Sequence, residues 1–297
     1  LSAAACRNLP EYFAMTMQVE KLDATFGARV TGVALGSISD TGFDQIYDLW
    51  LEHALLVFPA QHLTKDEQKA FANRFGELEF ELSPIGNVKK DGSLRANDES
   101  DSVVQILKGN EGWHYDSTYV EVQALATVFT AHHVPSKGGQ TGWADMRAGY
   151  TALDADLKTK IEGLSAYHSL YHSQRKIGHD PKTGSGYGFD DQQPPLRPLV
   201  KIHPETGVPA LLIGRHAYDI TGLAEKESEK LLRELTDFAC QAPRLYIHSW
   251  TVGDAILWDN RCLMHRAYPW DFSEARQMWL ARIAGNPETE SGSTVSA

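Results

Sequence analysis

In the stretch "GWHYDSTY", residues 112–119, His114 and Asp116 stand two apart. In an extended backbone, side chains at i and i+2 point the same way, about 7 Å apart for a rise of ~3.3 Å per residue. In a helix they would diverge by roughly 200°. The pair can therefore share a metal ion only from extended chain, which the flanking Tyr115, Thr118, Tyr119 and Val120 favour. A third ligand is on offer in "GDAILWDNRCLMHRA", where His265 follows an apolar run and a short turn. Two imidazoles and one carboxylate leave open positions on a metal and match the facial set of non-haem Fe(II) oxygenases. Mn or Co would also suit them, whereas a structural zinc would close four positions, often with thiolates.

The elements that must position these residues are short strands between helices. "DTGFDQIYDLWLEHA" carries Phe43, Ile46, Tyr47, Trp50, Leu51 and Ala54 at helical spacing, with Ser39 or Asp40 as cap. "TKDEQKAFANRFG" opens with the capping box Thr64–Glu67 and closes on Gly76. "AEKESEKLLRELTDFACQ" is an amphipathic helix with Leu231, Leu232, Leu235 and Phe238 inward and a solvated acidic face. Strands are expected at "ALLVFPA", "ALATVFTAHHV", "PALLIG", "RLYIHSW", "AILWD" and "ARQMWLARIAG". Residues 81–112 read as loop around short strands. "PSKGGQTGWADMRAGYTAL" reads as a loop leading to a helix near 154–164, and 172–198 as a long loop. Strands dominate the second half without regular βα alternation. The expected fold is mainly β with flanking helices, an antiparallel barrel or jelly roll. Residues 1–18 read as a flexible N-terminal extension, with Met15 or Met17 as a natural start, and 19–297 as one domain.

Composition narrows the function classes. The net charge of −11 over 297 residues argues against a nucleic-acid surface. No run approaches the ~18 consecutive apolar residues of a membrane span. Three cysteines, Cys6, Cys240 and Cys262, make no disulfide framework and suit a reducing compartment. "LSAAAC" has no basic region or long apolar core before it. The expectation is a cytoplasmic protein that works on a small molecule.

An ordered set of motifs goes further: "VTGVALG", "LLVFPAQHLTKDEQKAFANRFGEL", "WHYDSTY", "VPSKGGQTGWADMRAGYTAL", "VKIHPETGVPALLIGRHA" and "GDAILWDNRCLMHRA". From about residue 19 to about 288 the chain resembles the taurine and phenoxyacetate dioxygenases, the TauD/TfdA family of Fe(II)/2-oxoglutarate enzymes. "HPETG…LLIGRHA" and "PWDF…R.MW..R.AG" make it most similar to those cleaving (S)-phenoxypropionate herbicides such as dichlorprop and mecoprop. The resemblance implies a double-stranded β-helix, the cupin-like jelly roll, with His114, Asp116 and His265 holding Fe(II). It implies that Thr141 contacts 2-oxoglutarate and that Arg276 pairs with its distal carboxylate, a task suited to a guanidinium. It also implies use of O₂, with ascorbate as reductant in vitro, release of succinate and CO₂, and hydroxylation of a C–H bond beside an ether oxygen. Halogenating relatives lack the carboxylate, so Asp116 favours hydroxylation. Family members often form homo-oligomers.

One position departs from the family. Sulfonate- and phenoxyacetate-type relatives carry a second arginine where this chain has Leu280. A carboxylate-bearing substrate needs another partner, because an unpaired buried charge is costly. Arg215, ending "LLIGR", and Arg282, on the strand face of Arg276, are the candidates, each with the alternative of merely bracing the site. Asp259 and Asn260 are expected to fix the turn that aims His265. One of His132 and His133 should face the core, as should Trp143, Trp258 and Trp279. His168, His172 and His179 either line a pocket or are solvated. Two rival functions fit the barrel without the cosubstrate residues: a metal-dependent hydrolase or isomerase, and a non-catalytic binding protein.

Overall fold

Alternation of side chains along short strands builds a sheet that is apolar on both faces. In the computed structural model, which describes residues 17–293, the main sheet has seven strands. They are β1 (Gln18–Lys21), β2 (Ala28–Thr31), β3 (Leu55–Phe58), β13 (Ala255–Asp259), β5 (Ala126–His133), β15 (Gln277–Ile283) and β4 (Ser83–Gly86), in that spatial order. All pairs are antiparallel except β2 with β3. Opposite this sheet stand β12 (Leu245–His248), β6 (Thr141–Asp145) and β14 (Leu263–Ala267), with β6 in the middle. β11 (Ala217–Ile220), β7 (Ser165–His168) and β8 (Leu196–Pro198) form a third sheet, and β10 (Pro209–Leu211) pairs with β9 (Val200–Ile202). The architecture is the mainly β jelly roll with flanking helices.

Each face of the large sheet has its own core. Ile256 and Trp258 of β13, Phe129 and Ala131 of β5, and Met278 and Leu280 of β15 look inward toward Trp143, Trp250 and Met264. Ala255 and Leu257, Ala126 and Val128, and Ala281 and Ile283 look outward. The outward face is covered by α1 (Asp40–His53), which supplies Phe43, Ile46 and Trp50, and by α2 (Lys65–Ala72), which supplies Phe71 and Ala72. The period of two along β15 also puts Arg276, Leu280 and Arg282 on the inner face.

The cap residues act as their chemistry dictates. Ser39 accepts from the Gly42 N–H, and the Thr64–Glu67 capping box closes in both directions. α2 nonetheless ends at Ala72, not Gly76, because residues 73–75 pass into turns. α3 (Ser102–Gly109) lies in the stretch expected to be loop: Asp101 caps it, and Val104 and Leu107 are buried one turn apart. The segment after "PSKGGQ" is the buried strand β6 rather than loop, followed by α4 (Met146–Ala152) and α5 (Ala155–Ile161). α6 (Leu170–Arg175) overlaps the expected long loop. α7 (Glu225–Ala239) buries Leu231, Leu232 and Leu235, with Phe238 only half-buried, and α8 (Pro287–Glu290) ends the described chain's regular structure. Trp143 and Trp258 are core, but Trp279 is half-exposed under the Lys65 ammonium, 3.5 Å from its ring. Neither His132 nor His133 faces the core. The expected N-terminal extension lies outside the described residues except for Met17 and Gln18, and Gln18 already belongs to β1.

A buried arginine ties the far end of this fold to the turn that follows "WHYD". Arg197 donates to the carbonyls of Thr118, Val120, Glu121 and Glu290 at 2.7–3.0 Å. Among the described residues, the Thr118 and Val120 carbonyls have no other donor. Arg197→Met should therefore cost about 2–4 kcal/mol, since buried acceptors left unpaired cost ~1–3 kcal/mol each. The check is a guanidinium unfolding curve, with a lowered midpoint at unchanged slope.

Candidate active site

His114 and His265 are far apart in sequence and adjacent in space because their backbones pair. The His114 N–H donates to the His265 carbonyl at 3.0 Å, and the His265 N–H returns the bond at 2.8 Å. This single antiparallel bridge extends β14 across to the "WHYD" segment and brings the ring centroids to 4.2 Å. The backbone stays extended only as far as Asp116: residues 116–119 form a turn, and Ser117 adopts a left-handed φ of 57°. Asn260 pins that point. Its Oδ1 accepts from the Asp116 N–H, and its Nδ2 donates to the Asp116 and Ala124 carbonyls. Asp259 fixes the turn at 260–262 that leads into β14, as expected: its Oδ1 accepts from the Arg261 N–H at 2.9 Å, and its carboxylate also binds the Arg261 guanidinium and His203. Asn260, within that turn, ties it to the carboxylate's loop.

One donor atom from each of His114, Asp116 and His265 lies within 4.8 Å of the others, and all three are buried or nearly so. The His265 Nε2 stands 3.9 Å from the Asp116 Oδ1. His114 Nδ1 donates to the Gly112 carbonyl at 2.7 Å, leaving its Nε2 lone pair free. His265 Nδ1 is buried with no partner among the described residues, so that ring is aimed by β14 and by Trp258, 4.9 Å away. Burial holds both imidazoles below their ordinary pKa, His114 well below. For Asp116 burial opposes ionisation, but the Arg282 guanidinium outweighs it and holds the carboxyl below the usual carboxylate range. Two neutral imidazoles and one carboxylate at neutral pH are the ligand states that a divalent metal requires. The donor set therefore fits Fe(II).

These groups open on a cavity of about 260 Å³. Thr141 and Arg276 line it with them. Thr141 Oγ1 accepts from Trp250 Nε1 at 3.0 Å. Arg276 is 2 % exposed, and its guanidinium donates only from Nε, to the Gly139 carbonyl at 3.2 Å. Among the described residues no carboxylate comes within ion-pairing distance of it. Burial lowers its pKa to about 10, so it remains charged at neutral pH. Its backbone is held by Asn87, whose side chain accepts from the Arg276 N–H and donates to the carbonyls of Phe272 and Glu274. Leu280 faces the same cavity beside Phe80, Ile85, Phe129 and Trp258, an apolar wall.

The two remaining arginines part company. Arg282 lines the cavity as expected, but its Nη2 is spent on Asp116 Oδ1 at 2.8 Å. Arg215 is not in the cavity. It lies in a separate crevice with Lys108, Lys176 and Glu229, donating to the Ser173 carbonyl at 2.9 Å. The physical reason is a turn: the chain bends at Gly214, which has a φ of 110°, and turns through Arg215 and His216, so that His216 faces the cavity, with Nδ1 2.9 Å from Ser173 Oγ. Sequence reasoning misses His216, Asn87 and Glu79, because each reaches the site through a turn or through a contact distant in sequence. Of the other histidines, His168 is fully buried, His172 lies in another crevice, and His179 pairs with Gln174. A second triple, His203, Asp259 and Cys262, is close enough to ligate. Arg261 already holds both Asp259 oxygens there, which opposes a cation.

Known proteins agree with this geometry. The family described as "Taurine catabolism dioxygenase TauD, TfdA family" matches residues 18–284. An (S)-phenoxypropionate/alpha-ketoglutarate-dioxygenase of Sphingobium herbicidovorans is 60% identical, over 92% of this chain and 96% of that protein. One of the same description from Delftia acidovorans is 51% identical, over 94% and 99%. A crystal structure of AAD-2 in complex with Mn(II) and N-oxalylglycine superposes with a TM-score of 0.87 at 33% identity, covering 95% of this chain and all of the other. The chain belongs to the TauD/TfdA family and is an Fe(II)- and 2-oxoglutarate-dependent dioxygenase.

Proposed function

We propose that His114, Asp116 and His265 hold the Fe(II), that Arg276 and Thr141 bind 2-oxoglutarate, and that the substrate is a phenoxyalkanoate of the (S)-phenoxypropionate type. The observation that carries the reading is Arg276: a buried guanidinium without a carboxylate, in the same cavity as a His-Asp-His cluster. A charge so placed is stable only if an anion joins it, and 2-oxoglutarate brings one. The rival hydrolase and binding-protein readings leave that guanidinium unexplained. The family match over residues 18–284 supports treating 19–297 as one dioxygenase domain.

The iron and cosubstrate, once bound, supply the oxidising power that inserts oxygen from O₂ into a C–H bond, with 2-oxoglutarate leaving as succinate and CO₂. The protein positions and encloses. Leu280, Phe129, Phe80, Ile85 and Ile106 offer an apolar wall for an aryl ring. Hydroxylation of the carbon beside the ether oxygen yields a hemiketal, which falls apart to a phenol and a keto acid. Leu280 supplies no charge for the substrate carboxylate, and Arg282 is engaged by Asp116. The polar groups left to meet it on the cavity wall include Asn110, Gln174 and His216. The 60% and 51% identity to (S)-phenoxypropionate dioxygenases supports this substrate class. The three-cysteine composition and the family resemblance further support a cytoplasmic homo-oligomer, which light scattering on the purified chain tests.

The test of function is succinate release on adding Fe(II), ascorbate, O₂ and 2-oxoglutarate with a substrate panel. Turnover of (S)-phenoxypropionates above their mirror images and above sulfonates is expected; turnover without O₂ would favour a hydrolase. His265→Ala should abolish succinate formation and stoichiometric iron binding while leaving the melting curve cooperative. Retained activity in that variant would sink the ligand assignment. Arg276→Ala should weaken 2-oxoglutarate by roughly thirtyfold or more, since losing a buried charge partner costs ~2–5 kcal/mol. Iron affinity without cosubstrate should change little, and an unchanged KM for 2-oxoglutarate would contradict the assignment.

A further inference from the structure

The proposed ligand set holds one negative charge, on Asp116. Arg282 lies against it, Nη2 to Oδ1 at 2.8 Å, and the buried guanidinium also packs against the rings of Phe80 and Tyr187. Taken alone, this contact cancels the charge that should attract a divalent cation. It also competes with the metal for the Oδ1 that faces His265. A third charged group alters the balance. The Glu79 carboxylate lies 3.7 Å from Arg282 Nη1, with both side chains about nine-tenths buried. Its Oε2 accepts from Ser117 Oγ at 2.8 Å and from the Tyr187 hydroxyl at 2.9 Å. The Glu79 N–H donates to the Arg282 carbonyl at 3.0 Å, so backbone pairing fixes the two residues side by side.

We propose that Glu79 is a positioning residue for the metal centre. It shares Arg282 with Asp116, restores a net negative charge to the cluster, and leaves Oδ1 available to the metal. Ser117 follows Asp116 directly, so the hydrogen bond from Ser117 to Glu79 also holds the turn that ends the ligand segment. Tyr187 lines the cavity beside Gly186 and Phe189. Its hydroxyl lands on the same oxygen, so this part of the cavity wall and the turn that follows Asp116 meet on one carboxylate. The inference rests on the reading that His114, Asp116 and His265 bind the metal.

The experiment is calorimetric titration of Mn(II) alone into the metal-free full chain, with wild type, Glu79→Gln, Glu79→Asp and His265→Ala. Glu79→Gln keeps the size and the acceptor for Ser117 and Tyr187 but loses the charge. Its Mn(II) affinity should fall about tenfold, the scale of one partly screened charge acting on a divalent ion. Glu79→Asp keeps the charge and should stay within about threefold of wild type. Equal affinity of Glu79→Gln and wild type overturns the proposal, as does an equal loss in both Glu79 variants, which would mark a packing role. Should Glu79→Gln not fold, as judged by its melting curve, Glu79→Asp still decides, because a tenfold loss there contradicts a charge role. If wild type takes up no stoichiometric Mn(II), or His265→Ala binds it equally well, the metal reading itself fails. If those two behave as expected and only Glu79→Gln is unaffected, the Glu79 inference fails alone.

Discussion

The reciprocal backbone hydrogen bonds between His114 and His265 are the constraint on which the site depends. They join the N-terminal half of the chain to β14, and β14 is held in turn by β6. Because the two histidines face each other across one bridge, their side chains leave the sheet on the same side and meet. Asp116 joins them through the period of two, and the chain then turns away at Ser117. Asn260 and Arg197 saturate the carbonyls on either side of that turn. The His-Asp-His cluster is thus a product of β pairing and side-chain braces, built on rigid elements rather than on a free loop.

Charge decides how the cavity divides its labour. Arg276 and Arg282 sit on the same strand face, and the same alternation aims both inward. They differ in their partners. Arg282 meets Asp116 and Glu79 and is pushed above its ordinary pKa despite burial. Arg276 meets only a carbonyl and a Trp270 ring and is pushed down to about 10. Among the described residues, one guanidinium is compensated by carboxylates and the other is not. Between them, Leu280 offers apolar surface to the cavity.

Local rules made much of this legible in the sequence. The H-x-D spacing, the Thr64–Glu67 box, the alternation of β15 and the amphipathic α7 are short-range patterns, and the structure carries each of them. The errors share a cause in longer-range contacts. α3 escapes the sequence patterns because its polar surroundings hide an eight-residue helix behind the Asp101 cap. Thr141 lies on a buried strand that exists only because β12 and β14 flank it. Arg215 reads from the sequence as a strand end facing the cavity, but β10 stops at Leu211 and the chain then turns so that His216 faces in. Asn260 and Glu79 act on Asp116 across large sequence separations, and no spacing rule announces such contacts. The motif order that implies the family compensates for part of this blindness, since it brings the cosubstrate residues with it.

The central claim is that one cavity holds a metal on His114, Asp116 and His265 and an anionic cosubstrate on Arg276. The most direct test is a crystal structure of this chain with Mn(II) and N-oxalylglycine. The account predicts metal density bonded to His114 Nε2, an Asp116 oxygen and His265, with a carboxylate of N-oxalylglycine on the Arg276 guanidinium. Metal bound at His203, Asp259 and Cys262 instead, or an inhibitor that leaves Arg276 without a carboxylate, would contradict it.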